Sequence, residues 1–487
     1  MKASLKKNYV YNLLYQVLAV VLPIITTPYL ARVLGANGTG TYSYTISMVT
    51  YFILFGSLGI NLYGQREIAY AQDNKQKRNK VFSELFILKA ITLTMAMIIF
   101  WFLFASSGEY ALYYKILTLE IAANILDISW VYQGLEEFKK IAIRNTCVKL
   151  ASTFLTFILI RSDQDVWIYV FIYALTTLLG NLSLWFKRKE YVELKIIKLN
   201  IKRHIQPTIA LFIPQIAVQI YIVLDKIMLG SILNNMDEVG YYEQSQKIIK
   251  ILLTVITSIG TVMLPRIAKT FTDNNIVQIK KYIYKIFNYV YMLSIPLMFG
   301  VIATSHNFAP LFFGPGYEEV PFIMNVMSAI ILFIGLSNVI GIQYLLPTKR
   351  QKEYTISVSA GALINLALNF TLICNLEAIG ATIATVVAEF FVTTIQFYFI
   401  RKDFNIKKIL KMSSKYLAAG LIMFLICILI DIIVADNMAS LVAQVITGII
   451  VYFFSLIILK NSFILDILDN AKLFISNKSI RNNLNKD

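Results

Sequence analysis

The chain is a succession of apolar runs, each about as long as a membrane-crossing helix, separated by short polar breaks. That pattern excludes most folds. A hydrocarbon core about 30 Å thick requires roughly 20 apolar residues of helix, whereas a membrane β-strand needs about half that number and alternates polar with apolar side chains. The runs here are continuous, which predicts an all-α polytopic membrane protein. Composition agrees, since 57% of the 487 residues are hydrophobic and only 15% are charged, more apolar than a soluble core requires.

Fourteen spans are expected, at 9–32, 40–63, 81–104, 111–132, 145–161, 166–186, 207–230, 240–264, 283–306, 320–345, 354–374, 378–400, 414–435 and 440–459. They group as an N-terminal six-helix lobe (1–186), a basic linker (187–206), a second six-helix lobe (207–400), and a final pair of helices with a basic tail (401–487). The first run lacks a small-residue cleavage site and ends in LARVLG, so a retained span is expected rather than a signal peptide.

A net charge of +17 raises the question of nucleic acid, but the position of the bases argues for topology instead. Most of the 45 Lys and Arg fall in 2–7, 66–80, 139–149, 187–203, 266–285, 349–352, 401–415 and 460–486. The alternate loops carry acids such as Glu109, Asp163, Asp165, Asp237, Glu318 and Glu319, with Arg32 and Arg161 at helix ends. The positive-inside rule then puts both termini in the cytoplasm, and attraction to anionic membrane lipids is a by-product. No nucleic-acid partner is expected.

Cys147, Cys374 and Cys427 stand singly, with neither metal-site nor disulfide spacing. His204 and His306 lie far apart on opposite sides, which disfavours a joint metal or acid/base role. The chain contains no phosphate-binding glycine motif of the nucleotide-hydrolase type. No cofactor is expected, and energy would come from an ion gradient or from substrate supply.

A shift of 200 residues aligns Gly40 with Gly240, Tyr42 with Tyr242, Arg66 with Arg266 and Lys80 with Lys280. These coincidences suggest an internal duplication. The shift also aligns a polar stripe at helical spacing, Ser43, Ser47, Thr50, Ser57 and Asn61, with Glu243, Lys247, Lys250, Thr257 and Thr261. A packed Ser/Thr interface between helices is the alternative for the first stripe. The second is harder to pack away. Lys250 lies roughly 15 Å along the helix from Gly240, near the midplane, where a lysine facing lipid costs about 2.5–3.5 kcal/mol on insertion scales. Glu243 can offset Lys247 one turn on, while Lys250 has no obvious helical partner. A water-filled cationic cavity is the cheaper reading.

Other charges within spans are weighed in the same way. Lys89 is expected inside, and Lys115 is placed to snorkel. Glu120 and Asp127 are seven residues apart and so share a helix face, and Glu389 sits midway along its span. Such carboxylates bind coupling ions or simply pair with the lysines. In YIVLDKIMLG, Lys226 alone could snorkel, but the short side chain of Asp225 requires a partner within the protein. Pro23 and Pro28, Pro214, and Pro296 are expected to interrupt their spans, as flexing points or as static kinks.

The segments TPYLARVLGANGTGTYSY and FGSLGINLYGQREIA resemble the opening of bacterial polysaccharide flippases of the multidrug/oligosaccharidyl-lipid/polysaccharide exporter superfamily, and LDKIMLG, EVGYYEQSQKI and VMLPRIAKTF resemble the start of that family's second lobe. The resemblance implies a V-shaped pair of lobes in the bacterial cytoplasmic (inner) membrane. It also implies alternating access, with a lipid-linked oligosaccharide on undecaprenyl diphosphate carried to the outer leaflet for capsule, O-antigen or a related polymer. A polysaccharide polymerase and glycosyltransferases would act beside it. On that reading Lys89, Lys247, Lys250, Arg66 and Arg266 form the cationic binding cavity, because fixed cations suit a diphosphate. Asp225, Lys226, Glu120, Asp127, Glu243, Glu389 and Arg32 serve gating or ion coupling.

Three competing readings stand beside it. Lipid II flippases carry an Arg-Asp pair where this chain has Thr26 and Thr27, which disfavours that cargo. A cation-coupled drug exporter would want acidic cavity walls. A membrane enzyme would need catalytic groups in substantial loops, and the expected outer loops are short.

Overall fold

The computed structural model describes the backbone of residues 5–195, 199–435, 437–466 and 469, and the side chains of these residues apart from 5–15, 213–222 and 261–262. All regular structure among the described residues is helical. In chain order the helices are α1 (Leu5–Ser57), α2 (Ile60–Tyr70), α3 (Lys75–Phe100), α4 (Ala111–Ile125), α5 (Ser129–Gly134), α6 (Phe138–Leu159), α7 (Val166–Ser183) and α8 (Lys202–Leu233). They continue as α9 (Met236–Thr257), α10 (Ile259–Thr272), α11 (Ile276–Phe313), α12 (Val320–Met327), α13 (Ala329–Ser337), α14 (Gln351–Ile400), α15 (Ile406–Ile433) and α16 (Asn437–Ile458). Single π-helical stretches extend α3 over Trp101–Ala105 and α13 over Asn338–Leu345.

Among the described residues, nine helical stretches are long and apolar enough to cross a membrane, so the chain is a multi-pass membrane protein. Two of them, Gln16–Tyr70 and Gln351–Ile400, each take in two expected spans. In α1 the change of direction falls on one residue, Gly35, at φ 68° and ψ −178°. Glycine is suited there because a β-carbon is penalised at positive φ. In α14 the same part is played by Glu377 at φ 51°. Expected span 111–132 is divided by a turn at Leu126–Ile128, between α4 and α5. Span 240–264 carries Glu243, Lys247 and Lys250 and breaks at Ser258. Span 207–230 passes through residues whose side chains lie outside the described set, Pro214 among them.

The expected proline interruptions need correction. Pro23 and Pro28 lie inside α1, and Pro296 lies inside α11, with helical backbone running through each. Lipid-embedded helices tolerate proline where neighbouring groups take up the freed carbonyl. One of the breaks falls instead at Leu126–Ile128. There Asp127 accepts from the Ser129 N–H at 2.9 Å and from the Ser129 hydroxyl at 3.1 Å, at the start of α5.

The chain forms two compact units. The first comprises Met1–Gln244, Phe313–Tyr317 and Leu366–Ala381. Its core packs Leu30, Leu34 and Val49 of α1 against Leu93 and Phe100 of α3, Leu117 and Ile121 of α4, and Val170 of α7. Between helices in lipid the attraction comes from close packing and hydrogen bonds rather than from water exclusion. Between Arg188–Glu190, a 3-10 turn, and Lys202, where α8 begins, side chains of α3 accept from backbone N–H groups of the basic linker. Asn79 Oδ1 accepts from Glu193 N (2.9 Å), Ser83 Oγ from Lys195 N (2.8 Å) and Glu84 Oε1 from Asn200 N (2.8 Å).

The second unit comprises Ser245–Phe312, Glu318–Asn365 and Thr382–Asp487. Asn307 of α11 donates to Asp431 of α15 and to Ser440 Oγ of α16 (3.2 Å). Gln444 returns hydrogen bonds to the carbonyls of Ala303 (3.2 Å) and Cys427 (3.1 Å). This buried network fixes the last two helices to α11.

Candidate functional site

Within the first unit the two copies of the sequence repeat meet reciprocally. A β-carbon on Gly40 would stand 1.8 Å from the carbonyl oxygen of Met236, and one on Gly240 would stand 2.2 Å from that of Ala36. Asn37 donates to Asp237 Oδ2 (3.4 Å) and Ser43 to Glu243 Oε2 (3.0 Å), both pairs separated by the 200-residue offset of the repeat. Only glycine permits backbones to touch in this way, as in small-residue crossings of membrane helices.

The Asp225-Lys226 pair of α8 is held next to this crossing. Lys226 Nζ lies 2.6 Å from Glu243 Oε2, with the two side chains 12% and 13% exposed. Asp225 is buried and accepts from the Tyr242 hydroxyl and from Asn369 Nδ2, the latter at 2.6 Å. Successive residues of α8 thus engage successive residues of α9. The protein partner that Asp225 requires is present, supplied in part by Asn369, 144 residues away in sequence.

A second polar cluster lies in α2 to α4. Lys89 is fully buried and donates to Asn61 Oδ1 and to the Asp127 carbonyl oxygen, both at 3.0 Å. Its ammonium is therefore enclosed by protein in this conformation. Asp127 also lies 3.9 Å from Arg144 Nη2. Because Asp127 sits in the turn after α4, it does not share a helix face with Glu120 as the seven-residue spacing suggested. Glu120 is buried on α4, and Asn124 donates to its Oε1 (3.4 Å) and to its backbone carbonyl (3.0 Å).

The remaining candidates are more open. Arg66 is exposed, paired with Glu67 at 3.2 Å and set over the rings of Tyr63 and Tyr70. Arg32 is exposed, its aliphatic stem against Gly314. In the second unit Lys247 is half-buried, whereas Lys250 is exposed and donates to Gln246 Oε1 at 2.7 Å. That bond, one turn back along α9, corrects the expectation that Lys250 has no helical partner. Arg266 is exposed, and Glu389 is buried on α14. Of the polar stripe, Ser43 and Ser47 are buried, Thr50 and Thr257 bond their own helix backbone, and the Thr261 side chain lies outside the described residues.

One cluster was not anticipated. Glu84 of α3 is fully buried; Arg203 of α8 donates to its Oε2, and His204 Nε2 lies 2.9 Å from the same oxygen. The Tyr63 hydroxyl lies 2.9 Å from His204 Nδ1. The available signal was an acid four residues into an apolar span, opposite a linker rich in bases. Among the described residues no group of three His, Cys, Asp or Glu side chains is arranged to hold a metal ion.

The fold is similar to that of a solved structure titled "Lipid II flippase MurJ, inward closed conformation", at a TM-score of 0.76 and 16% identity, covering 94% of this chain and all of that one. It is also similar to an inward-facing multidrug resistance MATE family transporter of the MOP superfamily, at a TM-score of 0.58 and 13% identity over 81% of this chain and all of that one. In sequence the chain is 27% identical over 411 residues to a "Putative O-antigen transporter" of Escherichia coli (strain K12), spanning 82% of this chain and 98% of that protein. A Shigella dysenteriae protein of the same description is 24% identical over 391 residues, 79% of this chain and 97% of its own length. A family model described as polysaccharide biosynthesis protein matches residues 5–271. That match takes in more than half of the 487 residues, and the chain accordingly belongs to the polysaccharide biosynthesis protein family.

Proposed function

We propose that the chain is a flippase that moves a lipid-linked oligosaccharide repeat unit, carried on undecaprenyl diphosphate, from the inner to the outer leaflet for surface polysaccharide synthesis. The observation that carries this reading is the family match on a chain whose apolar helices hold cations away from their ends. The O-antigen transporters among its relatives support it. The protein acts as a transporter rather than an enzyme, in the bacterial inner membrane with both termini cytoplasmic. Its fourteen spans form two six-helix lobes and a final pair. A polysaccharide polymerase and glycosyltransferases act on either side of it in the same synthesis.

In this reading Lys247 and Lys250, with Arg66 and Arg266, attract the anionic diphosphate, while the sugar crosses in water and the polyprenyl tail stays in lipid. Lys89 contributes by holding α2, α3 and the end of α4 in register, since its ammonium is already bonded. Asp225, Lys226 and Glu243 lie beside the Gly40–Gly240 crossing, which acts as the outer closure, and Arg32 lies just before the break of α1 at Gly35. Glu120, Asp127 and Glu389 remain candidates for ion coupling. The likeness to MATE transporters, at 13% identity, concerns the fold, and the two lysines midway along α9, Lys247 and Lys250, favour an anionic cargo over a cationic drug.

The test is complementation of a strain lacking the gene with the Lys247→Ala/Lys250→Ala variant. Surface polysaccharide should fall at least tenfold while the protein remains in the membrane at its normal level. Normal polymer from that variant would remove these two lysines from the mechanism, and drug resistance on expression without any change in surface glycan would favour an exporter.

A further inference from the structure

We propose that a groove on the α6–α7 surface of the first unit binds an anionic phospholipid, headgroup at Lys140, Arg144 and Lys187 and one acyl chain along the apolar floor. The groove encloses a cavity of about 550 Å³. Two features give it the chemistry of an amphiphile site. Its length is apolar: Val148 and Ala151 of α6 face Leu179 of α7, and the hydroxyls of Thr176 and Ser183 are occupied by the carbonyls of Ile172 (2.7 Å) and Gly180 (2.6 Å). Its charge is confined to one end, where α6 begins and α7 has just ended.

From Lys140 to Ala151 the groove runs roughly 16 Å along α6, long enough for a phosphoglycerol head and the upper part of an acyl chain. It opens sideways, because Ile143 is 44% and Leu179 55% exposed on helices that lie in lipid. A soluble sugar would leave its hydroxyls unpaired against such a floor. An acyl chain would not.

The basic end carries a net positive charge. Lys140 donates to the Tyr191 hydroxyl (2.7 Å) and lies 3.6 Å from Glu190. Arg144 donates to Asn181 Oδ1 (3.0 Å) and lies 3.9 Å from Asp127. Lys187 is exposed, with Arg188 next to it over the Trp185 ring. Three bases, Lys140, Arg144 and Lys187, thus line this end, with Glu190 and Asp127 as the acids paired to the first two. These hydrogen bonds hold Lys140 and Arg144 in place, so little side-chain freedom is lost when a phosphate docks. Basic pockets between membrane helices on the positively charged side are the usual seats of anionic headgroups.

Full-length protein is equilibrated with equimolar dioleoyl-phosphatidylglycerol and dioleoyl-phosphatidylcholine, and the lipid retained after gentle purification is counted by native mass spectrometry. Wild type should retain phosphatidylglycerol at least tenfold over phosphatidylcholine. Lys187→Ala should cut that preference roughly fivefold, the expected share of one surface base, and Lys187→Arg should restore it. Ala151→Trp, which fills the apolar floor and leaves the charges, should lower retention of the lipid while size-exclusion behaviour stays normal. Equal retention of the two lipids, an unchanged preference in Lys187→Ala, or displacement of phosphatidylglycerol by millimolar inorganic phosphate would each overturn the proposal, the last by assigning the basic end to a free anion.

Discussion

Glu243 is shared between Lys226 and Ser43, and Asp225 between Tyr242 and Asn369. An acid and a base that are neighbours in sequence therefore have different partners in space. Breaking a largely buried ion pair strands one charge and costs about 3–5 kcal/mol. Lys226→Ala should accordingly lower the thermal unfolding temperature in detergent by several degrees, and the reversal Lys226→Glu/Glu243→Lys should recover most of the loss. No recovery would mean that the pair matters for packing rather than for charge. The sequence made the need of Asp225 for a partner legible, because its side chain is too short to reach water from within the span. Asn369 was not legible, since no local pattern links positions 144 residues apart. The Glu84–His204 contact was hidden for the same reason, reaching across 120 residues.

Among the helices, the crossing of α1 with α9 depends on the absence of two β-carbons. Any side chain at Gly40 must displace the Met236 backbone, which is 1.8 Å from where a Cβ would lie. Gly40→Ala should therefore push the helices apart and cut polysaccharide export at least tenfold. Gly300→Ala is the matching control, because a β-carbon there meets nothing within 4 Å. Removing a helical glycine from α11 should be neutral or stabilise by about 0.5–1 kcal/mol. A Gly40→Ala variant as active as Gly300→Ala would show that the close approach is dispensable. The repeat marked these glycines by position, but nothing in it announced that the two copies touch. The prolines carried the opposite lesson, since helix breakers in a soluble context are accommodated inside α1 and α11.

For the molecule as a whole, the distribution of bases predicts an orientation that can be measured. A fluorescent protein fused to the C-terminus should fluoresce, and a cysteine replacing Glu109 in a cysteine-free background should react with an impermeant maleimide added to intact cells, while one replacing Lys349 should not. Labelling of the Lys349 position from outside would reverse the topology. Helical class and membrane residence follow directly from the order of residues, because lipid and water sort side chains one at a time and a span must satisfy its own backbone. The pairing of the buried charges does not follow from that order. It depends on how each helix is rotated and how far it is shifted against its neighbours, so residues 17, 38, 144 or 200 positions apart come within hydrogen-bond reach. Hydropathy constrains which segments enter the membrane, but the rotation of each helix within it is set by close packing and by the cost of leaving a buried charge unpaired.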